Sequence, residues 1–242
     1  MSVRIRRIRN AAVAGALVAS LAGLGVVAGA PAGALGNGSA CRPFAVVKAD
    51  VHAAATNRER TLAALVAALR ARRDPWSLNA AEIATLQSAS TGISQLDATV
   101  QSACYQTVDA LRADVTPLFT GYRVYWLRVP QSRGIEAADR LGEARADIGG
   151  AATKLAAHVG NNAKAKQDLD AMNAALAAAD AKLGAAPSPA GSIAALAGLA
   201  PAADMTADVA AMETARADLT SAWHALVDAR AKGLAVVADL GG

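Results

Sequence analysis

Large apolar side chains recur along this chain at intervals of three and four residues, and much of what lies between them is alanine or polar. Val47, Val51, Ala55, Arg58, Leu62, Leu65 and Leu69 set the rhythm. Ile83, Leu86, Ile93, Leu96, Val100, Cys104, Val108, Leu111, Val115 and Leu118 continue it. Such spacing lays a narrow stripe down one face of an α-helix, as in a coiled-coil seam, whereas a strand needs alternation by two. An apolar fraction of 54% with only 3% aromatic residues looks generous, but alanine buries little area. A fully buried Leu, Val or Phe contributes about 1.5 to 3 kcal/mol, so a core has to be assembled from sparse large side chains along extended seams. The expected fold is all-α: an elongated, antiparallel, coiled-coil-like helical bundle of about five principal helices over residues 44–242, with a linker at 184–203.

Local signals divide the stripe. Phe44 to Arg73 is expected as the first helix, its Arg58 snorkelling from the seam to water. Asp74-Pro75 breaks the chain. Asn79-Ala80-Ala81-Glu82 then reads as a capping box, with Leu78 and Ile83 as the staple around it. The second helix should run for roughly 40 residues, about 60 Å, antiparallel to the first because the loop between them is short. Pro117 and Gly121 interrupt it, and Tyr122 to Val129 is expected to cross as a kinked helical or extended segment rather than as a sheet strand. A third helix starts at Ile135, with Gly149-Gly150 weakening its middle, and Gly160-Asn161-Asn162 supplies a stop and a new cap. Ala165, Leu169, Met172, Leu176, Ala179 and Leu183 mark a fourth helix. After the linker and a short helix at Ser192 to Leu199, Asp204 caps a last helix whose stripe is Met205, Val209, Met212, Leu219, Trp223, Leu226, Leu234, Val237 and Leu240.

Residues 1–34 read as a Sec-type signal peptide: a basic start, an uncharged apolar run from Ala11 to Val27, then small residues that favour cleavage near Ala32 or Ala34. Residues 35–43 follow as a flexible arm. The net charge of +4 comes from Arg4, Arg6, Arg7 and Arg9 in that signal. Without them 20 basic residues face 20 acidic ones, so no global field steers the mature chain to nucleic acid. Membrane association is expected only if the signal segment is retained as an anchor.

The antiparallel register of the first two helices sets Cys104 opposite Val47, within reach of Cys41. Two cysteines in an exported chain make a Cys41–Cys104 disulfide the expectation. Closing a loop of roughly 60 residues stabilises by about 4 kcal/mol on the chain-entropy model.

Signals for chemistry are sparse. His52, His158 and His224 are dispersed on different helices, so no metal or cofactor is expected, and neither a His-Glu-x-x-His, a Gly-x-Ser-x-Gly nor a Walker loop is present. One stretch stands out. Phe119 to Trp126 holds four of the eight aromatic residues, interleaved with arginine, and Tyr122, Arg123, Tyr125, Trp126, Arg128 and Arg133 form a candidate binding surface for a protein or an envelope polymer. Alternatively, the rings cap the open end of an alanine-rich bundle that cannot seal itself.

The run Tyr122-Arg123-Val124-Tyr125-Trp126-Leu127-Arg128-Val129-Pro130-Gln131, followed by Ala137-Ala138-Asp139-Arg140-Leu141, and Ala217-Asp218-Leu219 in the last helix, resemble exported alanine-rich helical proteins of high-GC Gram-positive bacteria. The resemblance implies a secreted or envelope-associated helical protein and supplies no site to transfer. The expected function is that of a secreted or cell-envelope-associated, non-catalytic interaction or structural protein. The alternatives are an envelope enzyme whose site is assembled across helices, and a membrane-tethered extracytoplasmic helical module.

Overall fold

A computed structural model describes residues 44–202 and 205–241; the expected signal peptide, the arm with Cys41, and Asp204 lie outside the described residues. The fold is all-α. Its elements are α1 (Ala45–Arg70), α2 (Asn79–Ser102), α3 (Val108–Thr120), a π-helical turn (Val124–Arg128), α4 (Val129–Val159), α5 (Ala163–Leu183), a hairpin of β1 (Gly184–Ala185) with β2 (Ser188–Pro189), α6 (Gly191–Ala197) and α7 (Thr206–Gly241). None of the described helices is long and apolar enough to cross a membrane.

The first two helices are antiparallel, as their short loop requires. The Lys48 ammonium donates to the carbonyls of Gln101 and Ala103, and the Gln101 amide returns a bond of 2.9 Å to the Lys48 carbonyl. Further along, His52 Nδ1 lies 2.6 Å from Asp97 Oδ2, and at the far end Asn79 donates to the Leu69 carbonyl at 3.3 Å. Val51, Ala55, Leu62, Leu65 and Leu69 are buried as the stripe predicts. Arg58 is a correction: it is buried rather than snorkelling. Its guanidinium lies 4.7 Å from the Phe119 ring centre and 5.2 Å from that of Tyr125, and donates to the Ala54 carbonyl at 3.0 Å. Aromatic faces take the place of the carboxylate that such a buried cation would otherwise need.

The cap of α2 differs from the expected box. Asp74 does the capping, its two carboxylate oxygens accepting the backbone N–H groups of Leu78 and Asn79 at 2.8 and 2.9 Å. This leaves the Asn79 and Glu82 side chains to turn inward. The single long second helix is also corrected. It stops at Ser102, and the chain turns before Thr107 caps α3, its Oγ accepting the Ala110 N–H at 3.2 Å. Lys48 satisfies the last carbonyls of α2, and Tyr105 folds in edge-on to Phe44 with ring centres 6.4 Å apart. Spacing by threes and fours runs through this break because both helices bury the same side of the chain.

Helix α4 begins at Val129, six residues before the expected Ile135. Pro130 sits in its first turn, where a missing N–H costs nothing. The Gly149-Gly150 pair passes without a break, and Gly160 (φ 51°) ends the helix as expected. Asn162 then caps α5, accepting the Ala165 N–H at 3.1 Å. The expected linker at 184–203 is partly built structure. Gly184 (φ 89°) opens a hairpin in which an added methyl would lie 2.3 Å from the Ser188 carbonyl oxygen, and α6 buries Ile193 and Leu196.

Two cores result. One gathers α1, α2 and α3 around Leu62, Leu69, Leu86, Ile93, Val100, Leu111 and Leu118, joined by Ile135 from α4. The other gathers α4, α5, α6 and α7 around Ala138, Ala165, Met172, Ala179, Leu183, Ile193, Ala222, Leu226 and Ala229. The apolar stripe expected on the last helix is corrected here. α7 buries Ala215, Ala222, Leu226, Ala229, Gly233 and Val236, while Val209, Trp223, Leu234 and Val237 face outward.

Candidate functional site

The aromatic stretch lies against the first core, which includes Val124 and carries Phe119 and Tyr122 on its edge. α3 ends at Gly121, whose N–H donates to the Pro117 carbonyl at 2.9 Å. Arg123 then adopts the left-handed conformation (φ 43°, ψ 42°), which for a residue with a Cβ costs about 1–2 kcal/mol. The next turn is wide: the N–H groups of Arg128 and Val129 reach back five residues to the carbonyls of Arg123 and Val124. Of the two shapes expected for this crossing, the kinked helical one is found. The wide turn aims Val124 and Leu127 into the core, at 1% and 0% exposure, and Tyr125 and Trp126 outward, at 43% and 68%. Of the four rings, Phe119 and Tyr122 pack against the first core, while Tyr125 and Trp126 face outward.

The six candidate surface residues separate accordingly. Tyr122 is half-buried on α2, its hydroxyl so close that a methyl on Gly92 would lie 2.4 Å from it. Tyr125 carries Arg58 on one face, and Trp126 stands outward beside it. The Arg123 guanidinium donates to the Thr120 carbonyl at 2.9 Å, and Arg133, more than half exposed, pairs with Glu136 at 2.6 Å. Arg128 is the correction within the set. It is buried, and donates to Gln131 Oε1 at 2.9 Å and to the Leu199 carbonyl at 3.2 Å, with the charges of Glu82 and Asp208 acting on it. Burial lowers its pKa from the usual guanidinium value, and those two carboxylates oppose the shift. Gln131, fully buried, donates to the Leu196 carbonyl at 3.0 Å, so the start of α4 and the end of α6 are tied together. Beside the turn an open groove of about 420 Å³ runs between α2 and Tyr122, lined by Thr85, Ser88, Ala89, Gly121 and Arg128 among others.

Beneath the groove lies a buried polar seam that the sequence reading did not anticipate. Ser132 donates to Glu82 at 2.6 Å, and Asn79 donates to Asp139 at 2.8 Å. Glu136 takes both Arg133 and Arg140, with Arg72 at 3.9 Å. The Arg73 backbone N–H donates to Glu143 at 3.0 Å. Burial pushes the Asp139 carboxyl up to about 6, against the Asn79 bond, and the neighbouring Asp74 and Glu143 charges add to the rise. Burial likewise raises Glu82, opposed by Ser132 and Arg128. Burial would also raise Glu136, yet the hydrogen bonds and charges of Arg133 and Arg140 hold it below the usual carboxylate range. The signal was present: Ser132, Glu136 and Asp139 are spaced by four and three, a polar stripe on a helix that then has to meet Asn79 and Glu82, themselves three apart.

Among the described residues no group of three or more His, Cys, Asp or Glu side chains could hold a metal ion. Cys104 lies in the turn after α2, where the Gln106 amide is 3.8 Å from its sulfur, and its expected partner Cys41 is outside the described residues. The observed register, with Lys48 bound to the carbonyls of Gln101 and Ala103, brings Cys104 to the start of α1. Comparison with protein-family models, with curated proteins and with solved structures found no match.

Proposed function

We propose that this chain is a secreted or cell-envelope-associated interaction protein without catalytic activity, a coiled-coil-like helical bundle that presents an aromatic turn to a protein or an envelope polymer. The observation that carries this reading is Trp126. It is 68% exposed on a turn anchored from below by Val124, Leu127 and Arg128, so an indole is held outward on a rigid mount. Tryptophan, tyrosine and arginine are the residues that dominate contact energies in interfaces, and the exposed Tyr125 adjoins it in the chain. A disulfide between Cys41 and Cys104 would lock the start of α1 to the end of α2, in keeping with export. It predicts that the non-reduced protein does not react with a thiol reagent.

The test is retention of the purified, processed chain on isolated envelope material, wild type against Trp126→Ala, with circular dichroism on both. The expected result is an unchanged helical spectrum and lost retention. Equal retention by the variant would remove the turn from the proposal.

A further inference from the structure

Helix α7 carries two seams. Its packed face uses Asp208, Ala215, Ala222, Leu226, Ala229, Gly233 and Val236. Rotated by one residue, about 100° around the axis, a second series runs Val209, Glu213, Arg216, Thr220, Trp223, Val227, Arg230, Leu234, Val237. Every one of these nine positions is exposed. The steps between them alternate four and three, the spacing of a coiled-coil seam, and five of the nine, Val209, Trp223, Val227, Leu234 and Val237, are apolar. Trp223 is 54% exposed and Leu234 63%, while the buried side carries the small residues Ala215, Ala222, Ala229 and Gly233. Glu213, Arg216 and Arg230 make no ion pair with any described residue. Beside this seam, the exposed Ala210, Ala217, Ala231 and Ala238 leave room for a second helix to approach closely.

We infer that α7 pairs with α7 of a second copy of this chain, antiparallel, about a two-fold axis between Ser221 and Ala222. Charge selects this occupant and this register. A parallel, in-register pair would set Glu213, Arg216 and Arg230 each against its own copy, and like charges so placed oppose association. In the antiparallel register centred between Ser221 and Ala222, Glu213 faces Arg230 of the second copy, and the symmetry repeats that pair. Val209 faces Leu234, Thr220 faces Trp223, and Arg216 lies over Val227 with its head able to reach water. Sliding the pair by one heptad sets Glu213 against Val237 and Arg230 against Thr220, and both opposite-charge pairs are lost. The chosen register also brings the start of the second α7 over an apolar groove of about 340 Å³ between α4 and α7, lined by Ile148, Leu155, Met172, Gly233, Leu234 and Val237 among others.

The experiment is sedimentation equilibrium of the purified chain with four sequences: wild type, Glu213→Arg, Arg230→Glu, and the two together. Because both side chains are exposed, helicity by circular dichroism should be the same in all four. Wild type is expected to dimerise, each single reversal to weaken the dimer roughly ten-fold or more, and the double reversal to restore it. A wild type that stays monomeric at its highest soluble concentration overturns the inference. So does a dimer that single reversals leave intact, or one that the double reversal fails to restore. The same measurement on Leu234→Asp should give monomer; a surviving dimer would place the contact elsewhere.

Discussion

The two cores solve the same packing problem with opposite materials. Around α1, α2 and α3 the buried positions are mostly leucine, isoleucine and valine, with Ala55 and Ala89 among them and Phe44 and Tyr105 also buried. Around α5 and α7 they are largely alanine, with leucine and methionine between, and at Gly233 a methyl would already be 3.1 Å from the Met172 side chain. The first core is held by bulk, so its weakness is the void left when bulk is removed. The second is held by closeness of backbones, so its weakness is added volume. Ion pairs also cross the helices of the second region: Arg145 grips Asp180 with two bonds of 2.7 and 2.6 Å, and Lys182 meets Asp218 at 3.0 Å.

Truncation should break the comparison most visibly. Leu62→Ala removes a fully buried side chain and is expected to cost about 2–5 kcal/mol. Enlargement is the mirror test: Ala179→Leu, also at a fully buried site, should cost about 1–3 kcal/mol by forcing α5 away from its neighbours, while adding the same leucine at exposed Ala178 should cost almost nothing. Urea unfolding of the three variants decides. If Ala179→Leu is neutral, the second core is loose and the contrast fails.

Between the cores runs the polar seam, and Asp139 tests whether it binds them or merely fills the gap. Its carboxyl ionises at 3.8 in the unfolded chain and at about 6 in the folded one. Well below pH 3.8 both states are protonated and the group is neutral in the balance. As pH rises toward 6 the unfolded chain loses this proton first, so stability falls across that window and then levels. Asp139→Asn removes the slope and keeps an acceptor for Asn79. At pH 7 the variant should be more stable by about 1–2 kcal/mol, the full shift being discounted for solvent screening. Unfolding at about pH 3 and at pH 7 measures this directly, and a variant that is less stable at pH 7 would mean the charge holds the cores together through Arg72.

What could be read before the structure was the stripe, and what could not was where it is spent. The α1 positions Val51 to Leu69 fall inward with their neighbours as their spacing says. On α7 the same spacing misled, because alanine is mute in a periodicity. The buried face is mostly Ala and Gly, and the eye follows Trp223, Leu234 and Val237 to the outside instead. The break at Ser102 was hidden for a related reason, since nothing in the rhythm of Val100, Cys104 and Val108 marks a change of helix; only Lys48, 53 residues from Gln101, supplies the stop. At the site, arginine and tyrosine were grouped by composition, but a π-helical turn separates adjacent residues by depth. That separation needs the left-handed Arg123, for which the sequence carries no glycine as a flag.

The smallest effect carries the most information about the turn. Leu127 and Trp126 are neighbours, one fully buried and the other two-thirds exposed. Leu127→Ala should cost about 2–5 kcal/mol, but Trp126→Ala should change stability by no more than about 0.5 kcal/mol, because the indole adds little to either core. Replacing Tyr125 as well removes one of the two rings over Arg58, and a cation–π contact over a partly exposed ring is worth about 1–2 kcal/mol. The double variant should therefore remain folded, with a lower unfolding midpoint and the same helical spectrum. Phe119 alone would then cover the buried guanidinium, and that shortfall, rather than Trp126, would account for the drop. If the single Trp126 variant instead loses as much as the Leu127 variant, the turn belongs to the core and its outward face to nothing else.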